Sequence, residues 1–324
     1  MKKLTLLLLF LSLPLVADEE EWSLKKITLM MEDDLFYRTD EDYSFGSKIF
    51  ILFSRENLAS SSLHIPFTNY KQHESYISFA LSTQIYTPEN LSSSKLIQND
   101  RPYAGYAYFE SAFYQSYQNT LYSLAMQIGA VGDATHMDAL QEFVHRATDS
   151  EIPEGWDNQL SNELILQVNY NYKKHVTLEK FLGLESVIIP EFGFNLGNAS
   201  TKAYLGTLLR YGWGIPKNYG AFTINDSTYS QVPLSKDSIS ENFLFCFNVG
   251  VRGNGIARDI FLDGNSNVKS HSVEKNNFTL SMVYGFSFHY ANFSLDWVHN
   301  YTTREYVLQD KLHKYTSFQF SYDY

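Results

Sequence analysis

The sequence predicts an all-β fold, a transmembrane antiparallel β-barrel of about 12 strands. Apolar and polar residues alternate with a period of two from one end of the chain to the other. Aromatic residues make up 16% of the chain, yet the mean hydropathy is only −0.26. A membrane barrel combines these traits because each strand turns one face to lipid and the other to a polar lumen, while aromatic residues gather at both interfaces.

The N-terminal residues 1–17 are typical of a secretory signal peptide. Two lysines precede an apolar run that ends at the small residue Ala17, so cleavage is expected before Asp18. The apolar run is short for a membrane-spanning helix. We therefore predict an exported chain in which residues 18–324 form one outer-membrane barrel domain.

Alternation justifies each strand in turn. Between residues 161 and 173, Gln167, Asn169 and Lys173 occupy the face opposite the apolar residues, which would be costly in the dry core of a soluble sandwich. The last strand ends on the aromatic Tyr324, a pattern that resembles the assembly signal of outer-membrane barrels. The predicted strands cover residues 24–33, 43–54, 75–86, 103–116, 121–131, 161–173, 184–196, 201–213, 241–253, 276–289, 291–301 and 314–324.

Longer polar insertions separate some of these strands. Long loops are expected on the extracellular side of a barrel and tight turns on the periplasmic side. The insertions cover residues 34–42, 54–74, 87–102, 132–160, 214–240 and 254–275.

The insertion at 132–160 contains an amphipathic helix, predicted over about residues 135–147. Thr135 and Asp138 form a plausible capping pair at its start. Gln141 and His145 lie one turn apart on its polar arc, so their side chains can reach a common point. The spacing fits either a solvated helix face or part of a site. The apolar arc, expected to pack against barrel or lipid, comprises Met137, Ala139, Leu140, Phe143, Val144 and Ala147.

Charge and cysteine content exclude several classes of protein. The formal net charge of −11 disfavours nucleic acid as a partner. An anionic lipid stays possible as a ligand if local cations or a divalent metal are present. The single cysteine, Cys246, excludes an internal disulfide framework, and we interpret it as a small buried or lipid-facing residue.

Three polar islands stand near strand ends. The first holds Asp33 and Asp34, followed by Ser44; paired carboxylates suit Ca²⁺ or Mg²⁺, although solvated loop acids would look the same. The second runs from residue 84 to 106 and contains Lys95 and the neighbours Asp100 and Arg101, which we expect to pair and shape a turn. The third is the helix, continued through Glu151 to residue 159.

Taken in order, the motifs of these islands resemble the lipid A 3′-O-deacylase family of outer-membrane enzymes. The motifs are EDDLF at 32–36, DYSFG at 42–46, IYTP at 85–88, NDRPYAGY at 99–106, the Gln141 and His145 pair, and GWDNQ at 155–159. The match covers most of the N-terminal half, and the C-terminal half matches only as a barrel pattern. The resemblance implies Ca²⁺-dependent hydrolysis of the ester-linked acyl chains at the 3′ position of lipid A, the lipid part of lipopolysaccharide. It also implies a site between the barrel wall and an outer-loop helix.

The resemblance also implies roles for individual residues. His145 matches the general base and Gln141 its neighbour one turn earlier. Glu151 matches an acidic residue that would either fix the His145 tautomer or bind the metal. The remaining site residues would be Asp33 and Asp34 as Ca²⁺ ligands, Ser44 to position ligand or water, and Lys95 to attract a lipid A phosphate.

Two positions depart from the family pattern. Asp33 stands where the family usually has Asn, which adds negative charge near the metal. Asp133 replaces a common Pro, so the entry to the helix is expected to differ.

Two other functions fit parts of the sequence. A serine-dependent barrel lipase would use His73 and Ser75. A porin or adhesion barrel would need no site, and it leaves the clustered polar motifs unexplained. We expect the barrel to be a monomer.

Overall fold

The structure is a computed structural model that describes residues 22–34, 41–55, 65, 74–221, 223–224, 231–234 and 243–324. The predicted signal peptide and His73 lie outside these residues. Within the described part of the chain, no helix has the length and apolar character needed to cross a bilayer.

The described residues form a closed antiparallel barrel, which confirms the predicted fold. Twelve long strands build the wall, and a short strand, β7, is added beside β8. Closure comes from the pairing of β1 with β13 and of β6 with β8. The strands are β1 Ser23–Asp33, β2 Asp42–Arg55, β3 Glu74–Thr87, β4 Ala104–Tyr117, β5 Thr120–Val131, β6 Glu163–Lys174, β7 Val176–Thr177, β8 Glu185–Gly197, β9 Ser200–Gly212, β10 Leu244–Asp259, β11 Phe278–Tyr290, β12 Phe293–Thr302 and β13 His313–Asp323.

In the described part of the chain, two α-helices accompany the wall. The longer one, α1, spans Met137–Thr148, close to the predicted residues 135–147. The shorter one, α2, spans Ile260–Asp263 and buries Ile260, Phe261 and Leu262. Helix α1 is the element that matters for the site.

Period-two alternation gives the wall its two faces. The outward-facing Met31, Leu81 and Leu164 are 56%, 63% and 63% exposed. Inward-facing neighbours such as Ala80 are buried. The outer face is therefore an apolar surface suited to lipid.

The lumen is a packed polar core. Lys48 Nζ lies 2.8 Å from Glu110 Oε1 with both side chains almost wholly buried. Glu191 binds both Lys173 and Arg252. Buried charges need such partners, because an unpaired one is strongly destabilising.

Part of the lumen is filled by the described residues of the connection between β9 and β10. Tyr219, Ile224 and Val232 pack against lumen residues such as Phe50. The backbone N–H of Ile224 also donates to Glu32 Oε1 at 2.7 Å. This packing does not favour a porin.

The predicted placement of the long insertions is wrong in part. We define the upper rim as the end where β1 leads into β2, and the lower rim as the end with Ser23 and Asp323. The strand ends joined by insertions 54–74 and 214–240 lie at the lower rim, the end expected to carry tight turns. The β8–β9 connection at the upper rim is only residues 198–199. Loop length failed as a guide because Tyr219, Ile224 and Val232 of the β9–β10 connection pack inside the barrel.

Candidate active site

Helix α1 packs on the outside of the barrel wall. In β4, alternation turns Gly105 to the same outer face as Ala107 and Phe109. A Cβ placed on Gly105 would lie 2.6 Å from the Cβ of Met137, so the helix touches the wall at this glycine. The helix contacts β3 and β4. It therefore lies against the outer face and not over the lumen.

The predicted cap of this helix is not formed. His136, with φ 54°, is the N-cap and makes no side-chain capping hydrogen bond. Thr135 instead donates from Oγ1 to the carbonyl of Gly132 at 2.7 Å. The reason is a short 3₁₀ turn, Asp133–Thr135, which changes the direction of the chain before the helix begins.

The polar pair of Gln141 and His145 faces the protein and is not a solvated helix face. Gln141 and His145 are buried, whereas Phe143 is 70% exposed. Met137 is buried with the pair, so its assignment to the apolar arc is wrong. Residues four apart on a helix form one stripe, and Met137, Gln141 and His145 follow that spacing.

The main chain holds the His145 ring. Nδ1 lies 2.5 Å from the backbone carbonyl oxygen of Glu151. A carbonyl oxygen only accepts hydrogen bonds, so Nδ1 carries the hydrogen in the neutral ring and Nε2 is the acceptor. This tautomer suits a general base that works through Nε2. The Glu151 side chain itself is exposed.

Trp156 holds the amide of Gln141, and sequence reasoning missed it as a site residue. Its Nε1–H donates to Gln141 Oε1 at 2.9 Å. The indole ring packs against the ring of Tyr103, with centroids 5.1 Å apart. The GWDNQ motif contained the signal, since an indole N–H needs a partner when it is partly buried.

The loop that carries Lys95 packs against the segment that holds Trp156. The N–H of Glu154 donates to the carbonyl of Leu91 at 2.8 Å, and Asn158 Nδ2 donates to the carbonyl of Ser94 at 3.0 Å. Lys95 is exposed on this loop. The loop that carries Lys95, the segment that carries Trp156 and helix α1 therefore pack together on the outer side of the wall.

Ser44 and Asp33 lie at the upper ends of neighbouring strands. Ser44 is the extra residue of a β-bulge between Tyr43 and Phe45, and its Oγ lies 2.5 Å from Thr87 Oγ1. Bulges often re-aim side chains beside active sites. Asp33 follows Met31 in the outward row of β1, and Thr87 continues the outward row of β3. Alternation therefore turns the side chains of Asp33 and Thr87 toward the outer side of the wall.

Asp34 contacts the main chain where the loop between β1 and β2 ends. It is 1% exposed, and its Oδ2 accepts from the backbone N–H of Glu41 at 2.9 Å, which closes the loop between β1 and β2. Among the residues that the structure describes, no three His, Cys, Asp or Glu side chains lie together as a metal site.

Asp100 and Arg101 pair through the main chain and not as the expected ion pair, because Asp100 Oδ1 accepts from the backbone N–H of Arg101 at 2.7 Å. The Arg101 guanidinium lies inside the upper rim, with Nε 2.9 Å from Asp42 Oδ1 and Nη2 2.6 Å from Glu305 Oε2. Asp100 Oδ1 also accepts from the hydroxyl of Tyr306 at 2.6 Å. Neighbours on an extended chain point to opposite sides, so each finds a different partner.

The serine of the alternative lipase hypothesis lies elsewhere. Ser75 is buried near the lower end of β3, at the opposite rim from α1. His73 lies outside the described residues.

Comparisons with known proteins agree with this architecture. A sequence model of the family described as "Outer membrane protein LpxR" matches residues 4–324. The solved structure of LpxR from Salmonella typhimurium is similar, with a TM-score of 0.75 and 17% sequence identity over 92% of this chain and 100% of that chain. The β domain of the Bordetella autotransporter BrkA matches at a TM-score of 0.44 with 9% identity, covering 95% of this chain and 99% of that one. No curated protein matches in sequence.

Proposed function

We propose that this chain, which belongs to the LpxR family of outer-membrane proteins, hydrolyses the 3′-O-linked acyl esters of lipid A. The observation that carries the proposal is His145, buried on the wall-facing side of α1 with Nδ1 held by a carbonyl. Ester hydrolysis near neutral pH needs a base of this type. Export by the signal peptide predicted at residues 1–17 and a monomeric barrel belong to the same proposal.

In this mechanism His145 activates a water molecule. Nε2 accepts a proton from the water as its oxygen attacks the ester carbonyl carbon, and Nδ1–H keeps its bond to the Glu151 carbonyl. When the tetrahedral intermediate collapses, the C–O bond to the sugar breaks and the proton passes to the sugar oxygen. The products are a free fatty acid and a free 3′ hydroxyl group, and no covalent enzyme intermediate is needed.

Gln141 supplies a donor beside the base. Its Oε1 accepts from Trp156, which fixes the amide plane and turns the NH₂ group the other way. We assign this NH₂ group to the carbonyl oxygen, where negative charge develops in the transition state. Ser44 would position substrate or water, and the exposed Lys95 would bind a lipid A phosphate.

The proposed Ca²⁺ site lies at the upper end of β1. The carboxylates of Asp33 and Asp34 are hard oxygen donors, which suits Ca²⁺. We propose that Asp33, on the outer face, is the principal ligand with Asp34 beside it, and that Glu151 acts through its carbonyl. A bound Ca²⁺ would serve as a Lewis acid.

Mass spectrometry of lipid A tests the proposed function. Lipid A from cells that produce the protein is expected to lack the 3′ acyl chains, and lipid A from cells without it to keep them. Chelation of divalent cations while the enzyme acts should leave the 3′ acyl chains in place. Unchanged lipid A in producing cells, with the barrel shown to be in the membrane, would contradict the proposal. Loss of activity in Ser75→Ala but not in His145→Ala would instead favour a serine lipase.

A further inference from the structure

Helix α1 turns most of its apolar residues away from the protein, with Met137 as the exception. Phe143 is 70% exposed and Val144 39%, and Ala139 and Ala147 are exposed as well. A helix on a soluble surface shows the reverse arrangement, with apolar residues inward and polar residues outward. The exposed face of α1 would lose free energy in water and would be favourable in an apolar medium.

The lipid around the barrel can supply this apolar medium, because the helix lies on the face of the wall that contacts lipid. Below the point of contact, the outward row of β3 runs from Ile85 to Leu81, which is 63% exposed. Four residues of a strand span ~13 Å. The apolar band of an outer-membrane barrel is ~25 Å tall. The exposed face of α1 therefore continues the lipid-facing surface of the barrel.

The two edges of the helix differ in polarity. Glu142 and Arg146 form an exposed ion pair at 2.5 Å along one edge. Leu140 and Val144 lie along the other edge. A helix with an apolar face and a charged edge is typical of the boundary between headgroups and acyl chains.

We propose that α1 is an interfacial helix, whose face of Ala139, Phe143, Val144 and Ala147 is buried among the acyl chains of the membrane leaflet at the upper rim. The partner is the lipid surface itself. The inference goes beyond the proposed function and does not depend on it, because it rests on the position and exposure of the helix and not on hydrolysis.

A spin-label measurement directly tests whether the exposed face of α1 lies in the membrane. In a Cys246→Ser background, a nitroxide is attached to a cysteine introduced by Phe143→Cys. Leu81→Cys provides the lipid reference, and Lys269→Cys, in the exposed upper-rim loop, provides the water reference. The barrels are reconstituted in phospholipid vesicles, and collisions with oxygen and with a water-soluble nickel chelate are compared.

We expect the ratio of oxygen to nickel accessibility at position 143 to approach that at 81 and to exceed that at 269 severalfold. A ratio at 143 equal to that at 269 would overturn the proposal. Because a label could displace the helix, Phe143→Trp is measured as well, with the wild-type emission subtracted. Quenching of this tryptophan by brominated acyl chains supports the membrane position of α1, and absence of quenching contradicts it.

Discussion

At the residue scale, the orientation of His145 depends on a peptide group. The carbonyl of Glu151 accepts from Nδ1, and the carboxylate of the same residue is turned to solvent. Sequence comparison of side chains cannot separate these two ways of acting, because the carbonyl is present whatever residue stands at 151.

A Glu151→Ala variant tests whether Glu151 acts through its carbonyl or through its carboxylate. The variant keeps the carbonyl, so we expect its rate of acyl release to stay within about threefold of wild type, since an exposed substitution disturbs little. The measurement is the initial rate over a series of Ca²⁺ concentrations that reaches saturation. A loss of a hundredfold or more that added Ca²⁺ restores would show that the carboxylate binds the metal.

Trp156 gives a second prediction for a single residue. Trp156→Phe keeps an aromatic ring against Tyr103 but removes the donor to Gln141. A hydrogen bond of this kind contributes ~0.5–1.5 kcal/mol, so kcat should fall about three- to tenfold while the melting temperature changes little. Trp213→Phe, at an exposed position, is the matched control. An unchanged kcat would remove Trp156 from the site.

Some of these residues were predictable and others were not. Gln141 and His145 follow from helical spacing, which is a local property. The partners of Arg101 are not local, because Glu305 lies 204 residues away in the chain. Only the closed barrel brings them together.

At the element scale, the site depends on close contact between α1 and the wall. Gly105→Ala places a Cβ 2.3 Å from Thr135 Oγ1 and 2.6 Å from Met137 Cβ, so the helix must move outward. We expect acyl release to fall roughly ten- to hundredfold, as small displacements of catalytic groups do. The gel mobility of the folded barrel should not change. Gly253→Ala, where a Cβ meets nothing within 4 Å, is the control. Equal activity of the two variants would show that the contact is not needed.

The upper-rim network of Arg101, Glu305 and His313 predicts a dependence of stability on pH. Burial raises the pKa of the Glu305 carboxyl, but His313 and Arg101 lower it by more, so this pKa lies well below its usual range. A depressed carboxyl pKa stabilises the fold above the unfolded value, ~4.3, and the contribution is lost as the pH falls below it. The melting temperature of Glu305→Gln should therefore be lower than that of wild type at pH 7, and the gap should narrow below about pH 4. A gap that is constant with pH would contradict this.

The elements themselves were largely predictable. Eleven of the twelve long strands begin and end within two residues of their predicted bounds, because a wall between lipid and a polar lumen imposes a period of two. The exception is β10, which ends at Asp259, six residues beyond its predicted end. The path of the long connections was not predictable. Insertion 214–240 looked like an external loop, yet Tyr219 and Ile224 pack inside the lumen.

At the scale of the whole molecule, the lumen and the outer face of the barrel have different roles. Its lumen is packed with paired charges and with the β9–β10 connection, which fits a scaffold better than a channel. Its outer face carries the candidate base, between α1 and the wall, on the side where a membrane lipid would arrive. The family and the fold give the class of protein, and the position of His145 gives the proposed chemistry.

The most direct test is the rate of fatty-acid release from purified lipid A by the refolded protein and by its His145→Ala variant. A general base contributes ~10²–10⁴-fold to the rate. We predict that wild type releases the 3′-linked chains and that His145→Ala, folded as judged by gel mobility, is at least about a hundredfold slower. Equal rates for the two proteins, or no release by wild type in the presence of Ca²⁺, would contradict the account.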